Sequence, residues 1–169
     1  MKPVPRVAYN HDLPITESCD ICVIGGSQSG VAAAIAAKRV NPALEVFLIE
    51  QYGYLGGQSI GTMVCHYEFR EYTNNAGQIV AKGLGKEIIT RVVQKGNSDP
   101  LYQKWLDGKG PPFQDVPDGR AMGDIPLDLE DLKLTLQEMV DEAGVLVHLF
   151  TKFLDIITEE NAAARSQIK

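Results

Sequence analysis

Short apolar runs in this chain alternate with longer segments in which apolar residues recur at helical spacing. Residues 20–24 are largely apolar and precede a glycine, which predicts a strand buried on both faces of a parallel sheet. Residues 31–40 are rich in alanine and carry no charge before Lys38, so they predict a helix packed closely on that sheet. Residues 45–49 predict a second strand, which places Glu50 at its carboxyl end.

The later part of the chain repeats this order of helix and strand. Apolar residues three and four apart predict a helix that starts after its N-cap Asp128 and ends at Gly144. Residues 145–150 then predict a third strand. A further helix is predicted over residues 84–93, with Gly96 as its C-cap. Strands that alternate with helices indicate an α/β fold with a parallel sheet, in which we expect the strand order third, second, first.

Glycine, proline and polar residues dominate the segments between these elements. Residues 51–80 and 96–126 are therefore predicted to be loops, with one short helix near Trp105. The resulting domain prediction is an irregular lead-in over 1–19, an α/β domain over 20–158 with a loop-rich insertion at about 51–126, and a frayed polar tail over 159–169.

Composition narrows the class of protein. The chain has 169 residues, 44% of them hydrophobic and 22% charged, as in ordinary globular domains. Its net charge of -6 disfavours nucleic acid as a partner. No apolar stretch is long enough to span a bilayer, and the first twenty residues lack the apolar core of a signal peptide. With an odd, low number of cysteines, these features predict a cytoplasmic protein.

Cys19 and Cys22 have the spacing of a redox or zinc pair. Cys22 lies inside the first predicted strand, where residues three apart point to opposite faces. We therefore expect the two thiols to diverge. Because the chain has no second Cys or His pair to complete a tetrahedral set, we predict no metal site.

The chemistry is predicted to lie in the first strand, glycine turn, helix and second strand. A pyrophosphate needs a close approach of the backbone, which Gly25 and Gly30 allow, and the positive end of a helix. Glu50 follows Gly30 by twenty residues, near the spacing of the carboxylate that accepts hydrogen bonds from a ribose. Ser27 replaces the middle glycine of the G-x-G-x-x-G pattern, and its hydroxyl can donate a hydrogen bond to the phosphate.

This pattern by itself fits FAD, NAD, or a glycine turn that binds nothing. The runs DICVIGGSQSGVAAAIAAKR and VFLIEQYGYLGGQS resemble the FAD-dependent oxidoreductase family of glutathione-reductase-like flavoproteins. In that family a Leu-Gly-Gly stretch, here Leu55 to Gly57, follows the acidic residue and runs under the pyrophosphate towards the flavin. The resemblance therefore implies FAD as the cofactor and a Rossmann-like three-layer FAD/NAD(P)-binding fold.

A second match covers IPLDLEDLKLTLQEMVDEAGVLVHLFTKFLDI. In the family the helix and strand of this segment lead to a stretch that contacts the adenine, here near Thr151 to Phe153. The resemblance extends over residues 20–65 and 124–157. The predicted FAD-binding residues are Gly25, Gly26, Ser27, Ser29, Gly30, Glu50, Gln51, Gly56, Gly57, Gln58 and Phe153. No catalytic residue is predicted.

One departure from the family affects the functional prediction. Members are longer, and they carry a second FAD-contacting motif of the type Asp-Ala-Thr-Gly-Asp that is absent here. The resemblance thus implies a truncated fold whose sheet is completed by a second chain or by self-association. We predict the FAD-binding portion of a flavin-dependent oxidoreductase. The alternatives are a NAD(P)-binding module, and a non-catalytic subunit or truncated remnant that acts in assembly with a partner chain.

Overall fold

A computed structural model of the protein describes residues 14–64, 66–68, 74, 80, 82–96, 103–104, 106–109, 124–126, 128–156, 158–160 and 166–168. The strands and helices in chain order are β1 (Ile21–Ile24), α1 (Gln28–Val40), β2 (Val46–Ile49), α2 (Gln58–Gly61), β3 (His66–Glu68), α3 (Gly83–Lys95), β4 (Asp124–Pro126), α4 (Leu129–Ala143), β5 (Leu146–His148), β6 (Thr158–Glu160) and β7 (Ser166–Ile168).

The central sheet has three parallel strands in the order β1-β2-β5. Its register pairs Cys22 with Phe47, and Phe47 in turn with Leu146. The α/β class, the parallel sheet and the predicted strand order are therefore confirmed. The third strand ends at His148, earlier than predicted, because the chain turns at Phe150, which has a positive φ of 55°.

Helix α1 begins three residues before the predicted start, inside the segment that looked like a polar turn. Ser27 is its N-cap, and the Ser27 hydroxyl accepts a hydrogen bond from the Gly30 N–H at 3.3 Å. A capped first turn tolerates polar residues, so Gln28 and Ser29 are helical. The helix ends at Asn41, as the sequence predicts.

The caps predicted for the other long helices are confirmed. Asp128 precedes α4 and accepts hydrogen bonds from the N–H groups of Glu130 and Asp131. Gly144 ends this helix in a left-handed conformation with φ 72°. Helix α3 ends at Gly96, which is extended rather than left-handed. Among the described residues, no helix is both long and apolar enough to cross a membrane.

Three parts of the predicted loops and tail contain regular structure instead. The short helix α2 lies within residues 51–80, and β3 from that segment pairs antiparallel with β4. Strands β6 and β7 pair antiparallel where a frayed tail was expected. Each of these strands has three residues, too few for an alternating pattern to reveal. Residues 1–13, Trp105 and most of 96–126 lie outside the described residues.

Helices pack on only one of the two faces of the central sheet in the described part of the chain. Helices α1 and α4 pack on one face, and α3 packs against both of them. The core lies between these helices and the sheet, and its fully buried side chains include Ile35, Leu48 and Leu136. On the opposite face, called the open face below, Ile24 and Leu146 are about half exposed, at 50% and 49%.

Candidate functional site

The glycine turn between β1 and α1 is closed by main-chain contacts. The Gly25 N–H donates to the Ile49 carbonyl at 2.8 Å, and Gly25 itself has a φ of 98°, which favours glycine. A Cβ on Gly30 would overlap the Gly25 carbonyl oxygen. A Cβ on Gly26 would lie 2.6 Å from Leu55 Cδ2. The turn therefore needs glycine at positions 25 and 30, whereas a side chain at position 26 would have to displace the end of Leu55.

Glu50 is buried, with 6% of its surface exposed, at the carboxyl end of β2. One oxygen, Oε2, accepts the Gly26 N–H at 2.6 Å, and the other, Oε1, accepts the Tyr52 N–H at 2.8 Å. The carboxylate thus joins the glycine turn to the loop after β2. Each carboxylate oxygen can accept a second hydrogen bond, so this internal role leaves capacity for a ligand hydroxyl.

The Leu-Gly-Gly stretch lies directly beside the glycine turn. The Gly56 N–H donates to the Gly26 carbonyl at 2.8 Å, and Ser27 and Gly56 form a parallel β-bridge. Gly57 has a φ of 56°, and a Cβ there would lie 2.9 Å from the Ser27 Cβ. The Gln28 amide donates to the Ser59 hydroxyl at 2.9 Å. Because Ser27 carries a side chain, this close approach requires glycine at position 57.

A cavity of about 230 Å³ opens at the carboxyl ends of β1 and β2, the edge where α/β sheets bind ligands. Four of the predicted residues line it: Gly25, Glu50, Gln51 and Phe153. The other lining residues are Ile24, Ile49, Thr151 and Lys152. The remaining predicted residues do not line the cavity. They lie in the glycine turn, in the first turn of α1, and in the stretch that leads into α2. These residues are Gly26, Ser27, Ser29, Gly30, Gly56, Gly57 and Gln58.

Backbone contacts hold the segment after β5 against the end of β2. The Thr151 N–H donates to the Glu50 carbonyl at 2.8 Å, and the Phe150 N–H donates to the Tyr52 carbonyl at 3.1 Å. A Cβ on Gly53 would overlap the Phe150 ring, so this glycine admits the aromatic side chain. Sequence reasoning assigned no role to Gly53 or Lys152. Among the described residues, Lys152 is the only cationic one that lines the cavity, and the sequence signal for it was its place within the segment predicted to contact the adenine.

A larger depression of about 370 Å³ lies on the open face and includes Glu17, Phe47 and His148 in its lining. No residue predicted to bind FAD lines it. The His148 Nε2 lies 3.2 Å from a Glu17 carboxylate oxygen, without the alignment of a hydrogen bond. We therefore assign the candidate site to the smaller cavity, where the predicted residues converge.

The prediction that the Cys19 and Cys22 thiols diverge rests on strand alternation, and only Cys22 lies within β1. Cys19 precedes β1, and the chain bends at Asp20, so the alternation of a strand does not apply to this pair. Burial and the neighbouring Cys22 raise the pKa of Cys19 above its ordinary value. Within the described part of the chain, no group of three or more His, Cys, Asp or Glu is arranged to hold a metal ion.

Comparison with known families agrees with this geometry. The model of the FAD dependent oxidoreductase family matches residues 20–169. The chain belongs to the FAD-dependent oxidoreductase family. The predicted cofactor, FAD, is confirmed as the cofactor of this family. The match also includes residues 66–123, for which sequence reasoning found no resemblance.

The individual relatives compared with this chain are distant. The chain is 28% identical over 155 residues to the probable electron transfer flavoprotein-ubiquinone oxidoreductase, mitochondrial, of Saccharomyces cerevisiae, covering 88% of this chain and 24% of that protein. The crystal structure of Thermovibrio ammonificans THI4 superposes with a TM-score of 0.51 at 15% identity, covering 89% and 45%. L-proline dehydrogenase from P. horikoshii gives 0.49 at 16% identity, covering 86% and 47%. The chain thus spans less than half the length of each.

Proposed function

We propose that this chain is the FAD-binding unit of a flavin-dependent oxidoreductase and that it holds the pyrophosphate and the ribose of FAD. The observation that carries the proposal is the position of the Glu50 carboxylate. It lines the cavity at the edge of the sheet and also fixes the Gly26 N–H of the glycine turn. A single side chain therefore connects the proposed ribose site with the proposed pyrophosphate site.

The glycine turn suits a pyrophosphate group. Helix α1 has 13 residues and no acidic side chain in its first turn, so the positive end of its dipole is not neutralised there. The Ser27 oxygen accepts from the Gly30 N–H, which leaves the hydroxyl hydrogen to donate to a phosphate oxygen. Gly26 and Gly57 let the Leu-Gly-Gly stretch pack directly beside it, because a Cβ at either position would meet Leu55 or Ser27.

The cavity suits the adenosine part of the cofactor. Glu50 offers carboxylate oxygens to the ribose hydroxyls, and Gln51 follows it in the lining. Phe153 and Ile24 supply apolar surface for a planar base, and Lys152 adds a positive charge near an anionic ligand. FAD, when bound, supplies transfer of a hydride or of electrons, while these residues bind and orient it. Ser29 and Gln58 remain predicted contacts on the pyrophosphate and flavin sides.

The test is a titration of the purified chain with FAD, and separately with NAD, followed by flavin fluorescence or calorimetry. Glu50→Gln is compared with Glu45→Gln, because Glu45 is an exposed residue just before β2, at the end remote from the cavity. We expect Glu50→Gln to weaken FAD binding by about 1–3 kcal/mol, or about 5- to 150-fold, and Glu45→Gln to leave it unchanged.

Other results would support the alternatives. Tight NAD binding without FAD binding would favour the NAD(P)-binding module. Binding of neither nucleotide, together with copurification of a larger chain, would favour a non-catalytic subunit. Unchanged FAD affinity in Glu50→Gln would remove Glu50 from the site. The cytoplasmic location stays a prediction, and the substrate and electron acceptor are left to activity assays.

The partner prediction follows from the edge strand. Among the described residues, β1 pairs with β2 alone, and Ile24 on its open face is half exposed. An apolar edge with unpaired N–H and C=O groups favours addition of another strand. We therefore propose that a second chain or a second copy completes the sheet, and that the isolated chain binds FAD weakly. Size-exclusion chromatography with light scattering tests this, and a monomer with tightly bound FAD would contradict it.

A further inference from the structure

The open face of the central sheet carries large apolar side chains that are exposed to solvent. Ile24, at the end of β1, and Leu146, at the start of β5, are 50% and 49% exposed. Beyond β5, residues 151–156 form an exposed stretch without regular structure, in which Phe153 is 42% exposed. Ile24 and Phe153 line the same cavity, so the exposed stretch continues the apolar surface of the face. Continuous exposed apolar surface is typical of a protein interface.

One end of the open face is concave and acidic. The depression of about 370 Å³ lies near the start of β2 and β5, with Phe47 and Leu146 in its lining. The acidic residues Glu17 and Glu45 also line it. Within the described part of the chain, Glu45 has no ion-pair partner, and Glu17 has only His148, at 3.2 Å. The depression therefore suits an apolar group that lies beside a positive charge.

The other end of the open face is exposed and basic. Lys152 and Phe153 line the cavity at the carboxyl end of β1, beside Ile24. The Thr151 N–H donates to the Glu50 carbonyl at 2.8 Å, which fixes this segment at the end of β2. Lys152 is exposed, and it takes part in no ion pair among the described residues. This end therefore presents an apolar ring beside a positive charge.

The acidic and the basic end lie at opposite ends of the same strands. From Phe47 to Gln51 the chain advances four residues, or about 13 Å in an extended strand. A two-fold axis that runs parallel to the open face and across the strands brings two copies face to face and exchanges their ends. The basic end of each copy then lies against the acidic depression of the other, in two contacts that symmetry makes identical. The open face is thus complementary to itself in charge.

We propose that the open face binds a second copy of this chain, face to face and with antiparallel strands. In this dimer, Lys152 and Phe153 of each copy contact the depression around Phe47 of the other. The contact differs from the addition of a strand at the edge of β1, because strand addition uses main-chain groups and needs neither of the two charges. It also rests on no property of FAD.

The experiment compares charge reversals in the full chain without FAD, so that the place of Lys152 in the FAD cavity does not affect the result. Lys152→Glu brings like charges together at both symmetric contacts, and so does Glu17→Lys. Each variant should therefore raise the dissociation constant of the dimer about tenfold or more. Analytical ultracentrifugation measures this constant.

An equimolar mixture of the two variants provides the sharpest test of the symmetry. In a mixed dimer, each of the two contacts pairs one glutamate with one lysine, so the mixture should dimerise as the parent chain does. A general loss of stability in either variant would not be repaired by mixing. Far-ultraviolet circular dichroism of each variant provides the folding control.

The apolar part of the face is tested with a matched pair of leucines. Leu146→Asp places a charge on the open face and should abolish the dimer. Leu134 of α4 is 55% exposed, close to the 49% of Leu146, but it lies on the helix side of the sheet. Leu134→Asp should therefore leave the dissociation constant unchanged.

A parent chain that sediments as a monomer at every concentration would overturn the proposal. A dimer that persists in Lys152→Glu, Glu17→Lys and Leu146→Asp would also overturn it, and would instead indicate pairing at the edge of β1. Single variants that are monomeric and do not dimerise when mixed would contradict the exchange of the two ends. None of these results bears on FAD binding, which the titration of Glu50→Gln tests separately.

Discussion

The two faces of the central sheet, built from the same three strands, are covered very differently. On the face towards α1 and α4, Val46 and Leu48 are 1% and 0% exposed. On the open face, Ile24 and Leu146 are each about half exposed, and Cys22 is exposed as well. Both faces are nevertheless largely apolar.

This difference shows that an apolar sheet face is not necessarily a face on which other elements pack. Sequence reasoning took β1 for an interior strand because both of its faces are apolar. In the described part of the chain, helices cover one of those faces. Strand β1 lies at the edge of the sheet and pairs with β2 alone. The helix-covered face therefore supplies the stability of this unit, while the open face presents reactive and apolar groups to its surroundings.

The largest effect is expected where α1 meets the sheet. Gly30→Ala would place a Cβ against the Gly25 carbonyl oxygen, a backbone atom that cannot move without opening the turn. We expect a loss of about 5 kcal/mol in the free energy of unfolding, together with loss of FAD binding. Chemical denaturation measures the first quantity.

The matched control for Gly30→Ala is Gly85→Ala, in helix α3. A Cβ at Gly85 meets nothing within 4 Å. Alanine there should stabilise the chain by about 0.5–1 kcal/mol, because it favours helix more than glycine does. Equal effects of the two substitutions would show that the turn is not closed in the way described.

The next effect compares the two faces directly. Leu48→Ala removes a fully buried side chain and should cost about 3 kcal/mol, whereas Ile24→Ala removes a half-exposed one and should cost about 1 kcal/mol. Equilibrium denaturation in urea measures both. If a partner chain covers the open face, the cost of Ile24→Ala should rise towards that of Leu48→Ala in the assembled form.

Glu50 lies where the two faces meet at the carboxyl edge, and its substitution should have an intermediate effect. In Glu50→Gln an amide NH₂ would oppose the N–H of either Gly26 or Tyr52, which now donate to the carboxylate. One buried N–H then loses its acceptor, at a cost of about 2 kcal/mol in the cofactor-free protein. Unchanged stability would contradict the two hydrogen bonds.

The smallest effect belongs to the solvent side of the helices. Arg39 of α1 donates two hydrogen bonds to Glu87 of α3, at 2.7 and 2.9 Å, and this contact lowers the Glu87 pKa below its ordinary 4.5. The stabilisation is therefore present above about pH 4.5 and is lost as the pH falls through the folded pKa. Because the pair is partly exposed, Arg39→Ala should cost about 0.5 kcal/mol at pH 7, and this cost should shrink as the pH falls through the folded Glu87 pKa.

Patterns within the long helices and the apolar runs of the central strands predicted most of the fold. The strands of the sheet, helices α1, α3 and α4, and the caps at Asp128 and Gly144 follow from periodicity and end residues. The pairing of β3 with β4 does not, because it joins three-residue strands more than fifty positions apart. No local signal marks such a pairing.

At the candidate site, the sequence predicted which residues take part but not which hydrogen bonds they make. The position of Glu50 was predictable from spacing, whereas its two backbone donors depend on how the loop turns at Tyr52. The bend at Asp20, between Cys19 and Cys22, is not anticipated by strand alternation. Lys152 lines the cavity next to Thr151, whose N–H donates to the Glu50 carbonyl, and no sequence pattern indicates that bond.

The β-bridge between Ser27 and Gly56 has a kinetic consequence. Because the Gly56 N–H is bonded to the Gly26 carbonyl by the protein itself, the two glycine segments are preorganised and need no ligand to bring them together. Binding to such a preorganised surface costs less conformational entropy than binding that must first order a loop of the protein. The Gly56 amide should accordingly exchange its hydrogen with deuterium slowly even in flavin-free protein, and reloading with FAD should not wait for rearrangement of this turn.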